Sequence, residues 1–256
     1  MESIAAQLYT VREFCKTPAD IADTLRRIGE IGYRAIQVSG IGPIEPAELR
    51  DIADAEALQI IVTHTSFNRL DAELDLLIEE HRTLGCSHIA IGGLPKEMRE
   101  DAAGFSRFAA WADDIGARIA DAGMTFSYHN HAFEMQRFDG RLGLDILLDE
   151  TDPANLKFEL DTYWVQAGGG DPAETINRMA DRVPLLHVKD MIALPDNTHT
   201  FAEVGEGNLN WPAIIKAARA AGAEWYIVEQ DTCAGDPFDS LKISLENLRS
   251  MGIAEA

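Results

Sequence analysis

The chain has 256 residues, 46% hydrophobic and 25% charged, the composition of a folded domain with a full core, which excludes a disordered or fibrous segment. Its 22 Lys and Arg stand against 43 Asp and Glu, a net charge of −21. A surface that acidic repels phosphate backbones and anionic headgroups, so neither nucleic acid nor a membrane is an expected partner. No apolar run approaches the roughly 20 residues of a membrane span, and Met1-Glu2-Ser3-Ile4 lacks the basic start and apolar stretch of a signal peptide, so a cytoplasmic protein is expected. Cys15, Cys86 and Cys233 are odd in number and far apart, which reads as reduced thiols rather than a disulfide framework or a thiolate zinc motif.

Short β-branched runs alternate with amphipathic stretches along the whole chain, the mark of βα units and a parallel sheet. The predicted strands are Ile4–Leu8, Ala35–Ser39, Ile60–Thr65, His88–Gly92, Thr125–His129, Leu156–Leu160, Leu185–Lys189 and Trp225–Glu229. Eight units in 256 residues suit a closed (β/α)8 TIM barrel of about 250 residues, as one domain over 1–256. The first helix spans Pro18 to Ile31, with Thr17 as its cap and Ile21, Leu25, Ile28 and Ile31 at helical spacing. Gly32, Gly123 and Gly222 close helices at the bottom of the barrel, while Gly168-Gly169-Gly170 and Ala193–Thr200 read as loops. A doubly wound sheet is the competing architecture, but Leu8–Phe14, after the first strand, has no glycine to form a phosphate-binding turn.

In such a barrel the site lies beyond the C-terminal strand ends. Strand three ends at His64 and strand five in Tyr128-His129-Asn130-His131, with Glu134 beyond. Strand six ends in Glu159-Leu160-Asp161, strand seven in His187-Val188-Lys189-Asp190 and strand eight in Glu229-Gln230-Asp231. A divalent cation lets several carboxylates converge without neutralising one another by raised pKa values. Glu134, Asp161, His187 and Glu229 are the expected ligands, an oxygen-dominated set suited to Mn²⁺ or Mg²⁺, with Co²⁺ or Zn²⁺ also acceptable. His64, His129, His131, Trp164 and Lys189 are the expected substrate contacts. Each has a structural alternative: Asp161 capping the next helix, Lys189 neutralising Asp161 or Asp190, His64 as a barrel-wall residue. Tyr128 reads as core, and His81, His88 and His199 are assigned no chemistry.

Five segments carry a resemblance: Tyr128-His129-Asn130-His131-Ala132-Phe133-Glu134, Asp161-Thr162-Tyr163-Trp164, Leu186-His187-Val188-Lys189-Asp190, Val204-Gly205-Glu206-Gly207-Asn208-Leu209-Asn210-Trp211 and Val228-Glu229-Gln230-Asp231. Together they resemble the xylose isomerase-like family of sugar isomerases and epimerases over essentially the whole chain. The resemblance implies a metal held by Glu134, Asp161, His187 and Glu229, with Glu134 and Glu229 as the pair that moves protons. It implies a carbohydrate substrate, a keto-sugar or related polyol, isomerised or epimerised through an enediolate. Expulsion of a neighbouring hydroxyl or alkoxide would instead make the site a lyase, and the inosose dehydratases of the family resemble it in the two histidines and Glu after strand five. Trp164 stands where the ketose epimerases tend to carry His, which favours a ring with an apolar face, such as an inosose or keto-glycoside. A metal-free glycosidase using Glu134 and Glu229, and a non-catalytic sugar-binding subunit, are weaker readings, and homo-oligomerisation is left open.

Overall fold

The computed structural model describes residues 3–253. The remaining residues of the expected domain, Met1, Glu2 and 254–256, lie outside the described part. Eight strands form the barrel: β1 Ser3–Gln7, β2 Ala35–Val38, β3 Gln59–His64, β4 His88–Ile91, β5 Thr125–His129, β6 Lys157–Asp161, β7 Leu185–Val188 and β8 Trp225–Val228. All pair in parallel with their neighbours in sequence, and β1 closes on β8 through Ser3 opposite Trp225 and Ala6 opposite Val228. Every predicted strand is present, displaced by a residue or so at its ends. A single closed (β/α)8 barrel results.

Local chemistry explains how the chain punctuates itself. Helix α1, Pro18–Ile31, starts with a capping box in which Thr17 Oγ1 accepts from the Asp20 amide while the Asp20 carboxylate accepts from the Thr17 amide. It ends at Gly32, whose φ of 120° suits glycine. Among the described residues no helix is long and apolar enough to cross a membrane. Cys15 and Cys86 are buried, Cys233 is partly buried, and all three are free thiols.

Side-chain alternation along the strands separates two cores and sets the site above one of them. Outward residues such as Ile36, Leu186 and Tyr226 join the large cluster under the helices. Inward residues, Ala5, Ala35, Val62, Ala90, Leu185 and Ile227, form a smaller apolar cluster inside the barrel, joined by Ile61 where the β2–β3 register shifts. Two residues beyond Leu185 and Ile227 on the same inward face stand His187 and Glu229. The apolar cluster is thus a floor that keeps water from reaching the site from below.

The segment after β7 departs from expectation. Of Ala193–Thr200, read as a loop, residues 194–198 are the loop of a β-hairpin, and the ends of the segment belong to its arms, Asp190–Ala193 paired with His199–Ala202. Asp190 organises the segment that follows: its carboxylate accepts from the amides of Gly205, Gly207 and Leu209 and from Trp211 Nε1. The hairpin's Phe201 stacks on Tyr163 at 4.2 Å between ring centroids and meets Trp164 at 5.9 Å, edge on.

Candidate active site at the barrel mouth

His129, Asp161, His187 and Glu229 each offer one donor atom, and the four atoms lie within 4.8 Å of one another. Opposite donors around a cation with bonds of about 2.0–2.3 Å are about 4–4.5 Å apart, so small rotations would close this set on one ion. His129 Nδ1 is buried without a hydrogen-bond partner, while Asp161 Oδ2 meets the Lys189 ammonium at 3.0 Å. A buried group left like His129 Nδ1 is rare, and a cation is one way to satisfy it. Asp161 also does what its structural alternative required, since its Oδ1 caps the helix Thr162–Ala167 by accepting from the Trp164 amide at 2.9 Å. One oxygen is structural and the other faces Lys189. The donor set, two imidazoles and two carboxylates, fits Mn²⁺, Fe²⁺, Co²⁺ or Zn²⁺ better than a wholly oxygen-seeking Mg²⁺.

Glu134 is the correction to the expected set, because it lies outside the converging group and His129 stands in its place. The chain after β5 turns through a short 3-10 helix, Phe133–Met135, and folds Glu134 back into the protein. There its carboxylate accepts from Tyr128 Oη at 2.5 Å and from the His131 amide at 2.8 Å. Tyr128 is core, as read, but its hydroxyl holds this acid. Burial raises the Glu134 carboxyl to about 7 despite both hydrogen bonds. Between its ordinary value of 4.5 and about 7, the folded protein therefore keeps a proton that the unfolded chain has lost. Glu134 contributes most to stability below pH 4.5, and that contribution is lost as the pH rises through 7.

Glu134→Gln is accordingly expected to keep turnover within about threefold of the parent, as for a group that touches neither metal nor substrate. It should also remove on the order of 2 kcal/mol from the loss of unfolding free energy between pH 5 and pH 8. Urea unfolding at the two pH values measures this. An unchanged pH slope would remove the buried-acid assignment, and a collapse of turnover would return Glu134 to the mechanism.

A second shared network lies just below the converging group. Glu159, inward two residues before Asp161, is fully buried and takes a hydrogen bond from Gln37 Nε2 at 2.8 Å, while its other oxygen meets His64 Nε2 at 2.5 Å. Gln37 Oε1 in turn accepts from His187 Nε2 at 2.7 Å, and His187 Nδ1 faces Glu229 Oε2 at 2.9 Å. Gln37 thus fixes which ring nitrogen of His187 looks toward the converging group. Burial opposes a charge on both His187 and Glu159, but their mutual attraction prevails. Glu159 and Glu229 raise His187 to about 10, and His187 and His64 hold Glu159 well below the usual carboxylate range. His129 is the opposite case: burial and the neighbouring His187 keep it neutral, with a lone pair free for a cation.

Lys189 is 1% exposed and reaches three carboxylates, Glu229 and Asp231 at 2.7 Å each and Asp161 at 3.0 Å. Those acids raise its pKa against the effect of burial, and in turn Lys189 and His187 hold Glu229 well below its ordinary value. Asp161 moves the other way: burial outweighs Lys189 and lifts it to about 6. Above these groups opens a cavity of about 210 Å³ lined by Tyr9, His64, His129, His131, Glu229 and Asp231, among others. Of the expected substrate contacts, His64, His129 and His131 line it. Trp164 stands behind His131, 5.4 Å between ring centroids, and Lys189 lies beneath the carboxylates, 5.6 Å from the Trp164 ring.

Comparison with known proteins follows this geometry. Residues 25–251 match the family described as xylose isomerase-like TIM barrel. The inosose dehydratase of Geobacillus kaustophilus (strain HTA426) is 25% identical, with the alignment covering 87% of this chain and 84% of the relative. That of Geobacillus thermodenitrificans (strain NG80-2) is 27% identical over 49% of this chain and 47% of the relative, so the match spans about half of that protein. Among solved structures, a sugar phosphate isomerase/epimerase from Parabacteroides distasonis ATCC 8503 has a TM-score of 0.80 at 23% identity, covering 99% of this chain and 96% of the other. The probable 3-DHS dehydratase of Bacillus anthracis has a TM-score of 0.74 at 14% identity, covering 97% and 99%. These structural likenesses share the fold, and the match over residues 25–251 places the chain in the xylose isomerase-like TIM barrel family.

Proposed function

We propose that the protein is a divalent-metal-dependent enzyme that removes a carbon-bound proton beside the carbonyl of a cyclic keto-sugar and expels a neighbouring oxygen substituent, a lyase of the dehydratase type. The observation that carries this reading is the convergence of His129, Asp161, His187 and Glu229 at the mouth, with the buried Nδ1 of His129 unsatisfied. Those four residues would hold the cation, Mn²⁺ being our choice. When bound, it would supply Lewis-acid stabilisation of the negative charge that develops on substrate oxygens.

The chain's own groups divide the remaining work. Glu229 lines the cavity, and its contacts with His187 and Lys189 both fall on Oε2. Held low chiefly by Lys189, it is ionised and serves as the base that takes the proton from carbon. Across the cavity, His64 is fixed through Nε2 on buried Glu159, with Nδ1 3.4 Å from Ser39 Oγ. It delivers a proton to the departing oxygen. His129 and His131 complete the wall. The apolar floor and the Phe201 hairpin keep bulk water from the developing carbanion.

Isomerisation or epimerisation shares the first step but needs a second carboxylate to return the proton to carbon. The Glu134 carboxylate accepts from Tyr128 and the His131 amide, and the other cavity acid, Asp231, shares Lys189 with Glu229, which supports the lyase reading over a two-carboxylate one. The similarity to inosose dehydratases points the same way. Incubating an inosose with the protein and Mn²⁺ in D₂O, followed by proton NMR and mass spectrometry, is expected to give an unsaturated product lighter by one water, with activity lost on chelation. Exchange of a C–H proton without loss of water would replace this reading by the isomerase or epimerase one. Activity that survives exhaustive chelation would end the metal-dependent account.

A further inference from the structure

Two segments of the barrel mouth are tied together where the sheet closes. The β1–β8 ladder runs from Ser3 opposite Trp225 to Ala6 opposite Val228. Beyond it lie the 3-10 helix Leu8–Phe14 on one side and Glu229-Gln230-Asp231 on the other. Side chains continue the seam. Thr10 Oγ1 accepts from the Gln230 amide at 3.0 Å. The Arg12 guanidinium donates through Nη1 to the Tyr9 carbonyl at 2.7 Å and through Nη2 to the Asp231 carbonyl at 3.1 Å. It also lies over the Tyr9 ring, 4.1 Å from the centroid. Tyr9 and Asp231 both line the cavity above the converging group.

We propose that this seam is the subsite that grips and orients the substrate ring. Asp231 Oδ1 accepts from a ring hydroxyl, Tyr9 covers the adjoining C–H face, and Arg12 is the positioning residue that fixes one against the other. The proposal rests on the lyase reading above for the class of substrate, a cyclic polyol bearing a ketone, and deepens it by saying what holds that ring.

The first support is an oxygen to spare. Asp231 Oδ2 takes the Lys189 ammonium at 2.7 Å, whereas Oδ1 has no protein donor among the described residues. A carboxylate oxygen on a cavity wall is a strong acceptor for a hydroxyl. The second is the carbon ring of Tyr9. Among the described residues that line the cavity, the others are imidazoles, carboxylates, Ser39 and Gly92, and Trp164, from which an apolar face was expected, stands behind His131. An aromatic side chain offers the apolar surface that the C–H face of a sugar ring needs.

The third support is that both groups are held in place. Gly40 has φ +68°, and a Cβ there would stand 2.7 Å from Tyr9 Cδ2, so glycine at that position leaves the ring its room. Arg12 directs two of its N–H groups to backbone carbonyls, while its nearest carboxylate, Glu13, is 3.9 Å away and largely exposed. Its role is thus geometric, a planar fork joining two loops, rather than neutralisation of a charge. Groups already ordered bind without the entropy cost of ordering them.

Arg12→Met removes the fork at similar length, and Arg12→Lys keeps the charge without the fork. Both are expected to raise KM for an inosose at least about tenfold with kcat within about threefold of the parent, the pattern of lost ground-state binding. Circular dichroism and the rise in Tm with Mn²⁺ should match the parent's. Calorimetric titration of the Mn²⁺-loaded protein with scyllo-inositol, a ring of hydroxyls with no ketone to react, reads the subsite apart from turnover. Binding at least about tenfold weaker is expected in both variants. Tyr9→Leu should weaken it likewise and Tyr9→Phe should restore most of the loss, and this pair decides the question if the Arg12 variants misfold. Unchanged affinity in the variants, a fall in kcat at constant KM, or no binding to the parent overturns the subsite. Weaker binding in the variants of a parent that gives no unsaturated product from an inosose leaves the subsite standing and removes the lyase step.

Discussion

Glu229→Gln is expected to lower kcat/KM by about 10²–10⁴-fold or more, the range of a lost general base, compounded by weaker cation binding. The substitution preserves size and leaves an oxygen to face His187 and Lys189, but it removes the charge that a base and an anionic ligand both need. The fold should persist, because Lys189 retains Asp161 at 3.0 Å and Asp231 at 2.7 Å. Circular dichroism should therefore match the parent while deuterium exchange into the substrate disappears and the metal content after dialysis falls. A variant that turns over within threefold of the parent would take Glu229 out of the chemistry and, with it, the proposed direction of proton transfer. Paired with Glu134→Gln, the experiment separates two glutamates that looked equivalent in sequence.

That equivalence shows what could be read from residues and what could not. The strands were legible because each is a short apolar run with inward and outward faces, and the helix boundaries because Thr17 and Gly32 carry local signals that depend on neighbours three or four residues away. His187 and Glu229 were legible for the same reason: each continues the inward face of its strand, one step above Leu185 and Ile227. Glu134 lies after the strand has ended, where period-two reasoning no longer applies, and its direction depends on a 3-10 turn and on a buried tyrosine hydroxyl six residues earlier in sequence. His129, by contrast, is still within β5, and its inward face placed it in the converging group.

Glu159 and Gln37 were missed although a signal existed. Both are polar residues inside otherwise apolar strands, in the runs Lys157–Asp161 and Ala35–Val38, and Glu159 shares the face of Asp161 because it is two residues away. A fully buried acid in a barrel strand demands partners. Those partners, Gln37 and His64, come from strands on the far side of the closed sheet, so the network is visible only once the barrel has closed. The hairpin after β7 was hidden differently: Asp-Asn-Thr in Pro195–Thr198 is a turn signal, but the flanking residues are too mixed to announce strands.

Lys189→Met should produce the largest change in stability. The side chain is 1% exposed, and its ammonium is the shared partner of Asp161, Glu229 and Asp231. Replacing it with an apolar chain of similar length leaves three carboxylates converging without that compensation, and breaking a buried ion pair on one side costs about 3–5 kcal/mol. For a domain of this size, that lowers Tm by roughly 10 °C, since each kcal/mol shifts it about 2–4 °C. A divalent cation held by His129, Asp161, His187 and Glu229 would put back positive charge beside two of the same acids, so saturating Mn²⁺ should raise the Tm of Lys189→Met by more than it raises the parent's. Differential scanning fluorimetry of both proteins, with EDTA and then with Mn²⁺, measures the four values needed. An equal Mn²⁺ shift in the two proteins would mean that lysine and cation act on separate carboxylates, and no shift in either would remove the cation from this cluster.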